Sequence, residues 1–309
     1  MDNSSIHVIE SFFIPLDIIW LITTIVSMIF SCLYIIIILF DKTCHTQQML
    51  LLGNSCLSAL LFEIIVLFMS IFTLTNDLRV IFIPDSLCII RGYFGYVFAS
   101  MLYYSFFIQA VYRYLTAVYP TRSFYESYKF ILLMINTSWL VSFIFPLELI
   151  LTHGIVYNAA NQICQLVMNG SISLIYLALF IFTLPMMSIG FIYFLLVRYV
   201  KKMNERMATG NAIGRARNQL KMIRHILILV SVLLVVGIPY SSFAIMSFFT
   251  APPKYSLRIG VLLTNLSLLC VQIILFQLTD PLKDSIMNRF KRNNNTVVAL
   301  ALQTRSRTH

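Results

Sequence analysis

Charged residues are scarce in this chain, since Asp, Glu, Lys and Arg together make up 11% of its 309 residues. A soluble globular protein has about 25% charged residues. Here 59% of the residues are hydrophobic, and the mean hydropathy is +0.86. The composition therefore excludes a soluble globule. The chain also lacks the alternating ten-residue segments of a membrane β-barrel, so membrane-spanning helices are expected.

Several chemical motifs are missing as well. There is no Gly-x-Ser-Gly, Gly-x-Gly-Asp or His-Glu-x-x-His motif and no phosphate-binding loop, so the chain is not expected to be an enzyme. Cys-x-x-Cys and Cys/His ligand spacings are also missing, so neither a metal nor a cofactor is expected. The first fifteen residues contain no Lys or Arg, unlike a cleaved signal peptide, and the first span is expected to remain as an anchor.

Seven apolar stretches are each long enough to cross a bilayer, which requires about 20 residues in a helix. They cover residues 16–40, 47–73, 88–112, 130–151, 172–200, 222–249 and 257–280. This pattern predicts an all-α membrane protein with a seven-transmembrane helix bundle. No internal repeat accompanies it.

Positive charge is distributed unevenly over the connecting segments. If the N-terminus is extracellular, 18 of the 22 Lys and Arg residues fall on the cytoplasmic side. Short loops rich in Lys and Arg stay in the cytoplasm, so the C-terminus is predicted to be cytoplasmic and the protein to be a multi-pass plasma-membrane protein. The net charge of +10 is scattered over these loops. It needs anionic lipid and a docking protein as partners, and no nucleic acid.

The remaining segments are short. Residues 1–15 are predicted to be extracellular, 16–280 to form the bundle, 281–292 an amphipathic helix on the membrane surface, and 293–309 a cytoplasmic tail. Glycosylation acceptor motifs begin at Asn3 and Asn169.

Two of the six cysteines fall on the predicted extracellular side. Cys88 begins the third span, and Cys164 lies between spans four and five. An oxidising compartment favours a disulfide between them, which would hold that loop over the mouth of the bundle. The alternative is a pair of free thiols.

An ordered set of motif residues extends along the spans. Arg113 follows Cys88 by 25 residues, within Tyr112-Arg113-Tyr114, which is about seven helical turns. The other members of the set are Trp139, Pro146, Pro185, Tyr193, Pro239, Asp280, Pro281 and Phe290. From span one to about residue 292, the chain resembles the rhodopsin-like (class A) G-protein-coupled receptor family.

The resemblance implies a receptor that passes an extracellular signal to a heterotrimeric G protein. The sixth helix, with its bend at Pro239, would move outward, and Arg113 would swing toward Tyr193. Asp280 and Pro281 correspond to the start of the family's seventh-helix motif. The other interpretation of Arg113 is an arginine that extends to the lipid headgroups.

The chain departs from the family pattern at several motif positions. Tyr112 replaces the acid that pairs with the arginine, Gly237 stands where the sixth helix usually has tryptophan, and Asp284 replaces a tyrosine. The second span has no Asp for a sodium site. These departures predict appreciable signalling without ligand, and they resemble those of lineage-expanded chemosensory receptors.

The resemblance also suggests where a ligand binds. Gly95 occupies the family's amine-binding acid position, which disfavours a monoamine. The predicted pocket consists of Tyr96, Ala99, Ser100, Tyr103, Leu177, Ile181, Tyr240, Ser241, Ala244, Leu266 and Cys270. Such a lining suits a small organic molecule or a peptide side chain. The alternative is that its hydroxyl groups form hydrogen bonds between helices.

Two acidic residues stand out in the apolar sequence. Glu63 suggests a partner, a water cavity or a cationic ligand, or else a protonated structural acid, and Glu148 could also reach the membrane interface.

Other classes of membrane protein also have seven spans or this architecture. The alternatives are a seven-span transporter, a chemosensory channel, or a receptor-like protein that has lost coupling. A channel would carry a polar stripe, and a transporter would have paired broken helices in two halves.

Overall fold

The structure of the protein is a computed structural model. It describes residues 3–79, 86–120, 122–159, 161–166, 170–205, 242–250 and 256–278, together with residue 253 and single positions between 214 and 238. The predicted surface helix at 281–292 and the tail at 293–309 lie outside the described residues.

Helices dominate the described part of the chain. They are α1 Asn3–Phe40, α2 Gln47–Arg79, α3 Cys88–Val118, α4 Tyr128–Ile144, α5 Leu147–Leu151, α6 Ile172–Leu177, α7 Leu184–Glu205 and α8 Ser256–Leu278. A π-helical segment, Ala178–Thr183, joins α6 to α7, and short 3₁₀ helices cover Lys42–Cys44 and Ser123–Glu126. Helix α1 continues through Pro15 toward residue 3, beyond the predicted span, as membrane helices can when neighbouring groups satisfy the freed carbonyl.

Six of the described helical stretches are long and apolar enough to cross a membrane. They are Phe13–Phe40, Gln47–Arg79, Cys88–Val118, Tyr128–Leu151, Ile172–Lys202 and Ser256–Gln277. The predicted span at 222–249 occupies the sixth place in chain order, and its described positions up to 246 are helical. The prediction of a helical, multi-pass membrane protein is therefore confirmed.

The outer surface of the bundle is apolar. Large side chains such as Ile22, Phe68, Leu140 and Phe191 are more than half exposed. In water this surface would drive aggregation, whereas in a bilayer it faces lipid tails.

Between α5 and α6 the chain forms a β-hairpin. Strand β1, Ile155–Asn158, pairs antiparallel with β2, Ile163–Leu166, so that Tyr157 lies opposite Cys164. A disulfide joins Cys164 to Cys88 at the start of α3, with their Cα atoms 5.5 Å apart. We call this end of the bundle the disulfide end and the opposite one the Arg113 end.

Hydrogen bonds between helices join their polar side chains in the interior. The Tyr34 hydroxyl of α1 donates to the carbonyl of Gln272 on α8 at 3.0 Å. Trp139 Nε1 of α4 donates to Asn54 Oδ1 of α2 at 2.9 Å. Ser55 and Ser105 join α2 to α3 with an Oγ–Oγ distance of 2.7 Å. Because lipid gives these groups no alternative partner, each bond fixes how two helices are paired.

The hairpin approaches α3 most closely at Gly92. A Cβ atom on this residue would lie 2.7 Å from Ile155 Cγ2 and 3.0 Å from the backbone oxygen of Cys164. Both distances are too short for an unshifted side chain. Glycine at this position therefore allows the hairpin to lie directly on the helix.

We expect Gly92→Ala to push the hairpin away from α3 and to destabilise the protein by about 1–3 kcal/mol, the usual cost of overpacking. The measurement is the unfolding temperature of the purified protein in detergent. Gly190→Ala is the matched control, because nothing lies within 4 Å of a Cβ atom at that exposed position. Equal unfolding temperatures for the two variants would contradict the predicted contact.

Candidate functional site

A cavity of about 550 Å³ lies in the half of the bundle nearer the disulfide end. Its walls are formed by α2, α3, α6 with the π-helical segment that follows it, residues 244–248, α8 and the hairpin. The residues along it are Phe62, Ile65, Val66, Met69, Gly92, Gly95, Tyr96, Ala99, Tyr103, Gln165, Leu166, Leu174, Ile175, Leu177, Ala178, Leu179, Ile181, Phe182, Thr183, Ala244, Ile245, Phe248, Val261, Thr264, Asn265 and Ser267. The volume is within the range of about 300–1,000 Å³ that is typical of small-molecule sites.

Some of the residues predicted for the pocket line this cavity. They are Tyr96, Ala99, Tyr103, Leu177, Ile181 and Ala244. Tyr103 packs edge-on against Phe182, with ring centroids 5.4 Å apart. Tyr240 and Ser241 lie outside the described residues.

Three other predicted residues are not among the cavity-lining side chains. Ser100 is fully buried in the protein interior, and Leu266 is 41% exposed on the outside of the bundle. Cys270 is half-buried and contributes no wall either. Each residue turns a helix by about 100°, so Asn265 and Leu266, although adjacent in sequence, face different surroundings.

The contributions of α2 and the hairpin to the cavity were not predicted from the sequence. Phe62, Ile65, Val66 and Met69 form one wall, and Gln165 lies at the hairpin. The sequence of α2 does not reveal whether an apolar residue on it faces lipid, another helix or a cavity. The hairpin reaches the cavity only because the disulfide and the close approach at Gly92 place it there.

The described lining contains no Asp, Glu, Lys, Arg or His. Its polar members are the side chains of Tyr96, Tyr103, Gln165, Thr183, Thr264, Asn265 and Ser267. Glu63 is not among them. It is fully buried, and its Oε1 accepts a hydrogen bond from Ser27 Oγ at 2.5 Å. Glu63 Oε2 has no partner in the described structure.

A buried ionic cluster lies beside the cavity at the disulfide end. Arg258 of α8 is only 4% exposed. Its Nη1 lies 2.6 Å from Asp77 Oδ2 and 3.6 Å from Asp17 Oδ2, and its guanidinium stands 5.0 Å from the centre of the Phe13 ring. The cluster joins α1, α2 and α8, and among the described residues it contains two carboxyl groups and one arginine.

The same cluster holds the turn of the hairpin. The backbone N–H of Arg258 donates to Asn161 Oδ1 at 3.2 Å. Gln162 Nε2 donates to Asp77 Oδ1 at 2.6 Å. The hairpin is therefore attached to the helices both at its disulfide and at its turn. Arg258 is one of the four Lys and Arg residues on the predicted extracellular side, and no partner for it could be predicted from the sequence.

We expect Arg258→Gln to destabilise the protein by about 3–5 kcal/mol, because it leaves the buried carboxylate of Asp77 without its counter-charge. Adding Asp77→Asn to this variant should restore part of the loss by removing that uncompensated charge. Unfolding temperatures of the single and double variants in detergent measure both effects. A double variant less stable than Arg258→Gln alone would contradict this account.

At the opposite end of α3, Arg113 is partly buried. Its Nη1 has no hydrogen-bond partner in the part of the chain that the structure describes. Its neighbour Tyr112 points elsewhere, since the Tyr112 hydroxyl donates to Gln47 Oε1 of α2 at 2.9 Å. Gln47 Nε2 in turn donates to the carbonyl of Glu126. Tyr112 thus joins α3 to α2, and no acid among the described residues forms an ion pair with Arg113.

The other residues predicted to act in signalling are distributed around this end. Tyr114 and Tyr193 pack against one apolar cluster with Ala117, Leu196 and Ile223, so α3 and α7 meet there. Pro239, Asp280 and Pro281 lie outside the described residues, as do Asn169 and Phe290. Asn3 is the first residue of α1.

Glu148 connects two short helices near the disulfide end. Its Oε1 accepts a hydrogen bond from Ser173 Oγ at 2.7 Å, which joins α5 to α6. This bond gives the acid a partner within the protein.

The arrangement is that of a membrane-embedded helical bundle with a ligand-sized cavity under a tethered hairpin. The family model described as 7 transmembrane receptor (rhodopsin family) matches residues 30–274. The chain therefore belongs to the rhodopsin family of seven-transmembrane receptors, and the resemblance carried by its motifs is confirmed.

Solved structures agree on the fold. The crystal structure of squid rhodopsin matches with a TM-score of 0.76, covering 91% of this chain and 86% of that chain at 17% identity. At that identity the likeness establishes the architecture alone. No curated protein matches the chain at a significant level.

Proposed function

We propose that the protein is a cell-surface receptor that binds an extracellular ligand in the cavity and activates a heterotrimeric G protein. The observation that carries this proposal is that one helix, α3, both lines the cavity and holds Arg113 at its other end. Helix α3 starts at the disulfide-tethered hairpin, lines the cavity with Tyr96, Ala99 and Tyr103, and ends near Arg113.

The orientation follows from the chemistry of the two ends. The disulfide end faces the extracellular side, where an oxidising environment maintains the bond between Cys88 and Cys164. The Arg113 end faces the cytoplasm, in agreement with the excess of Lys and Arg in the segments on that side.

Signalling proceeds by a shift in population between two arrangements of the bundle. A ligand that binds the active arrangement better stabilises it in proportion to that difference in affinity. In that arrangement the sixth span, 222–249, moves away from α3 and α7. The contact of Ile223 with the cluster of Tyr114, Tyr193 and Leu196 is then lost. The guanidinium of Arg113 then becomes accessible to the G protein.

Tyr112 stands where the family has an acid that pairs with the arginine, and this departure favours the active arrangement in the absence of ligand. A carboxylate next to the guanidinium would have to lose its charge partner on activation, whereas Tyr112 binds Gln47 and imposes no such cost. The receptor is therefore expected to signal at a basal level.

We expect Arg113→Ala to abolish this basal signal in cells that contain no added ligand, because the variant removes the group offered to the G protein. The measurement is second-messenger production at matched surface expression. Arg198→Ala is the control, since Arg198 is exposed on α7 and contacts the Phe194 ring at 4.3 Å. A wild-type signal no higher than that of Arg113→Ala would contradict the proposal.

We expect Tyr112→Asp to lower basal signalling by placing a carboxylate beside Arg113. Tyr112→Phe is the matched control, because it removes the hydroxyl that binds Gln47 without adding charge. The same assay of basal signal compares them. An equal reduction in both variants would mean that Tyr112 acts only through its contact with α2.

A further inference from the structure

Three hydroxyl groups along the cavity already donate their hydrogen within the protein. Thr264 Oγ1 donates to the carbonyl of Gly260 at 2.9 Å, and Ser267 Oγ donates to the carbonyl of Thr264 at 2.6 Å. Thr183 Oγ1 donates to the carbonyl of Ala178 at 2.9 Å. A hydroxyl has one hydrogen to donate, so these three groups can offer a ligand only lone pairs.

Asn265 is fixed in one orientation by its contacts with α1. Its Nδ2 lies 2.9 Å from Thr23 Oγ1 and 2.8 Å from Thr24 Oγ1. Both threonine hydroxyls donate their own hydrogen to carbonyls of α1, with Trp20 as a shared acceptor. They can therefore only accept from Asn265, so the NH₂ group must face α1.

This orientation leaves the carbonyl oxygen of Asn265 without a partner. The residue is fully buried and borders the cavity, and its Oδ1 has no hydrogen bond in the described structure. On the hairpin side of the cavity, Gln165 Oε1 is likewise without a partner. Buried acceptors without donors carry a free-energy cost that a bound donor removes.

Charge recognition is not available in the described wall. An ammonium group would enter a site without a carboxylate, and a carboxylate would enter one without Arg, Lys or His. Transfer of an unpaired ion from water into apolar surroundings is strongly unfavourable. The wall therefore selects against ions of either sign.

We propose that the ligand is an uncharged, largely apolar organic molecule with a hydroxyl or amide N–H group that donates a hydrogen bond to Asn265 Oδ1. The inference rests on the proposed function, because it assigns the chemical class of ligand for the same cavity. Asn265 then determines specificity for donor groups, and the apolar wall selects the carbon skeleton.

The test uses matched probes on three apolar skeletons, namely naphthalene, adamantane and bornane. Each skeleton is prepared as an alcohol, as its methyl ether and as a primary amine, which is protonated at pH 7 because alkyl amines titrate near pH 10. Affinity is measured from the ligand-dependent rise in unfolding temperature of the purified full-length receptor. Free probe concentrations are determined by equilibrium dialysis.

On at least one skeleton the alcohol is expected to bind at least about tenfold more tightly than both the ether and the amine, which corresponds to about 1.4 kcal/mol. Asn265→Leu should bring the alcohol-to-ether ratio close to one without weakening the ether. Thr24→Val is the control, because it removes a contact of Asn265 with α1 but keeps the Asn265 oxygen. It should preserve the ratio.

Three results would overturn the inference. The first is that the amine binds most tightly. The second is that Asn265→Leu weakens alcohol and ether equally or leaves the alcohol-to-ether ratio unchanged. The third is that none of the three skeletons binds in any form. The basal signal of the wild type against Arg113→Ala distinguishes this failure from failure of the proposed function, since that signal requires no ligand.

Discussion

The attachment of the hairpin to α3 is the interaction on which the rest of the site depends. The bond between Cys88 and Cys164 and the close approach at Gly92 hold two short strands that have no other sheet to join. An isolated two-stranded hairpin is only marginally stable in water. With the hairpin fixed in place, the space below it becomes a bounded cavity with Gln165 and Leu166 in its wall.

The attachment is completed by an ionic cluster that would be unusual in a soluble loop. The side chains of Arg258 and Asp77 are almost fully enclosed, and Asn161 and Gln162 bring the turn of the hairpin to them. Buried ion pairs contribute little net stability compared with apolar packing, but removing one partner strongly destabilises the folded state because it leaves a buried charge unpaired. The contacts of this cluster connect α1, α2, α8 and the hairpin at one point.

The large-scale organisation could be predicted from the sequence because the bilayer allows few alternatives. Spans need about 20 apolar residues and helical backbones, so composition and length were sufficient to predict the bundle. The family was recognisable because Cys88 and Arg113 lie at opposite ends of one helix of fixed rise. These features depend on spacing along the chain, which a sequence contains directly.

The details that could not be predicted depend on contacts between residues that are far apart in the chain. Arg258 and Asp77 are separated by 181 positions, and the residues around each of them do not indicate that the two form an ion pair. Leu266 was placed in the pocket because an apolar helix such as α8 gives no clear rotational phase, and the structure turns Asn265 inward instead. The role of Tyr112 also required the position of Gln47 on another helix.

The π-helical segment Ala178–Thr183 has a geometric consequence for α7. A wider turn admits one residue more than the regular winding, so Ala178, Leu179, Ile181, Phe182 and Thr183 can all border the cavity. Rewinding this turn into an α-helix would rotate everything beyond it by about 100°. Tyr193 would turn with it, so the winding of a single turn sets which face this helix presents to the opposite end of the membrane.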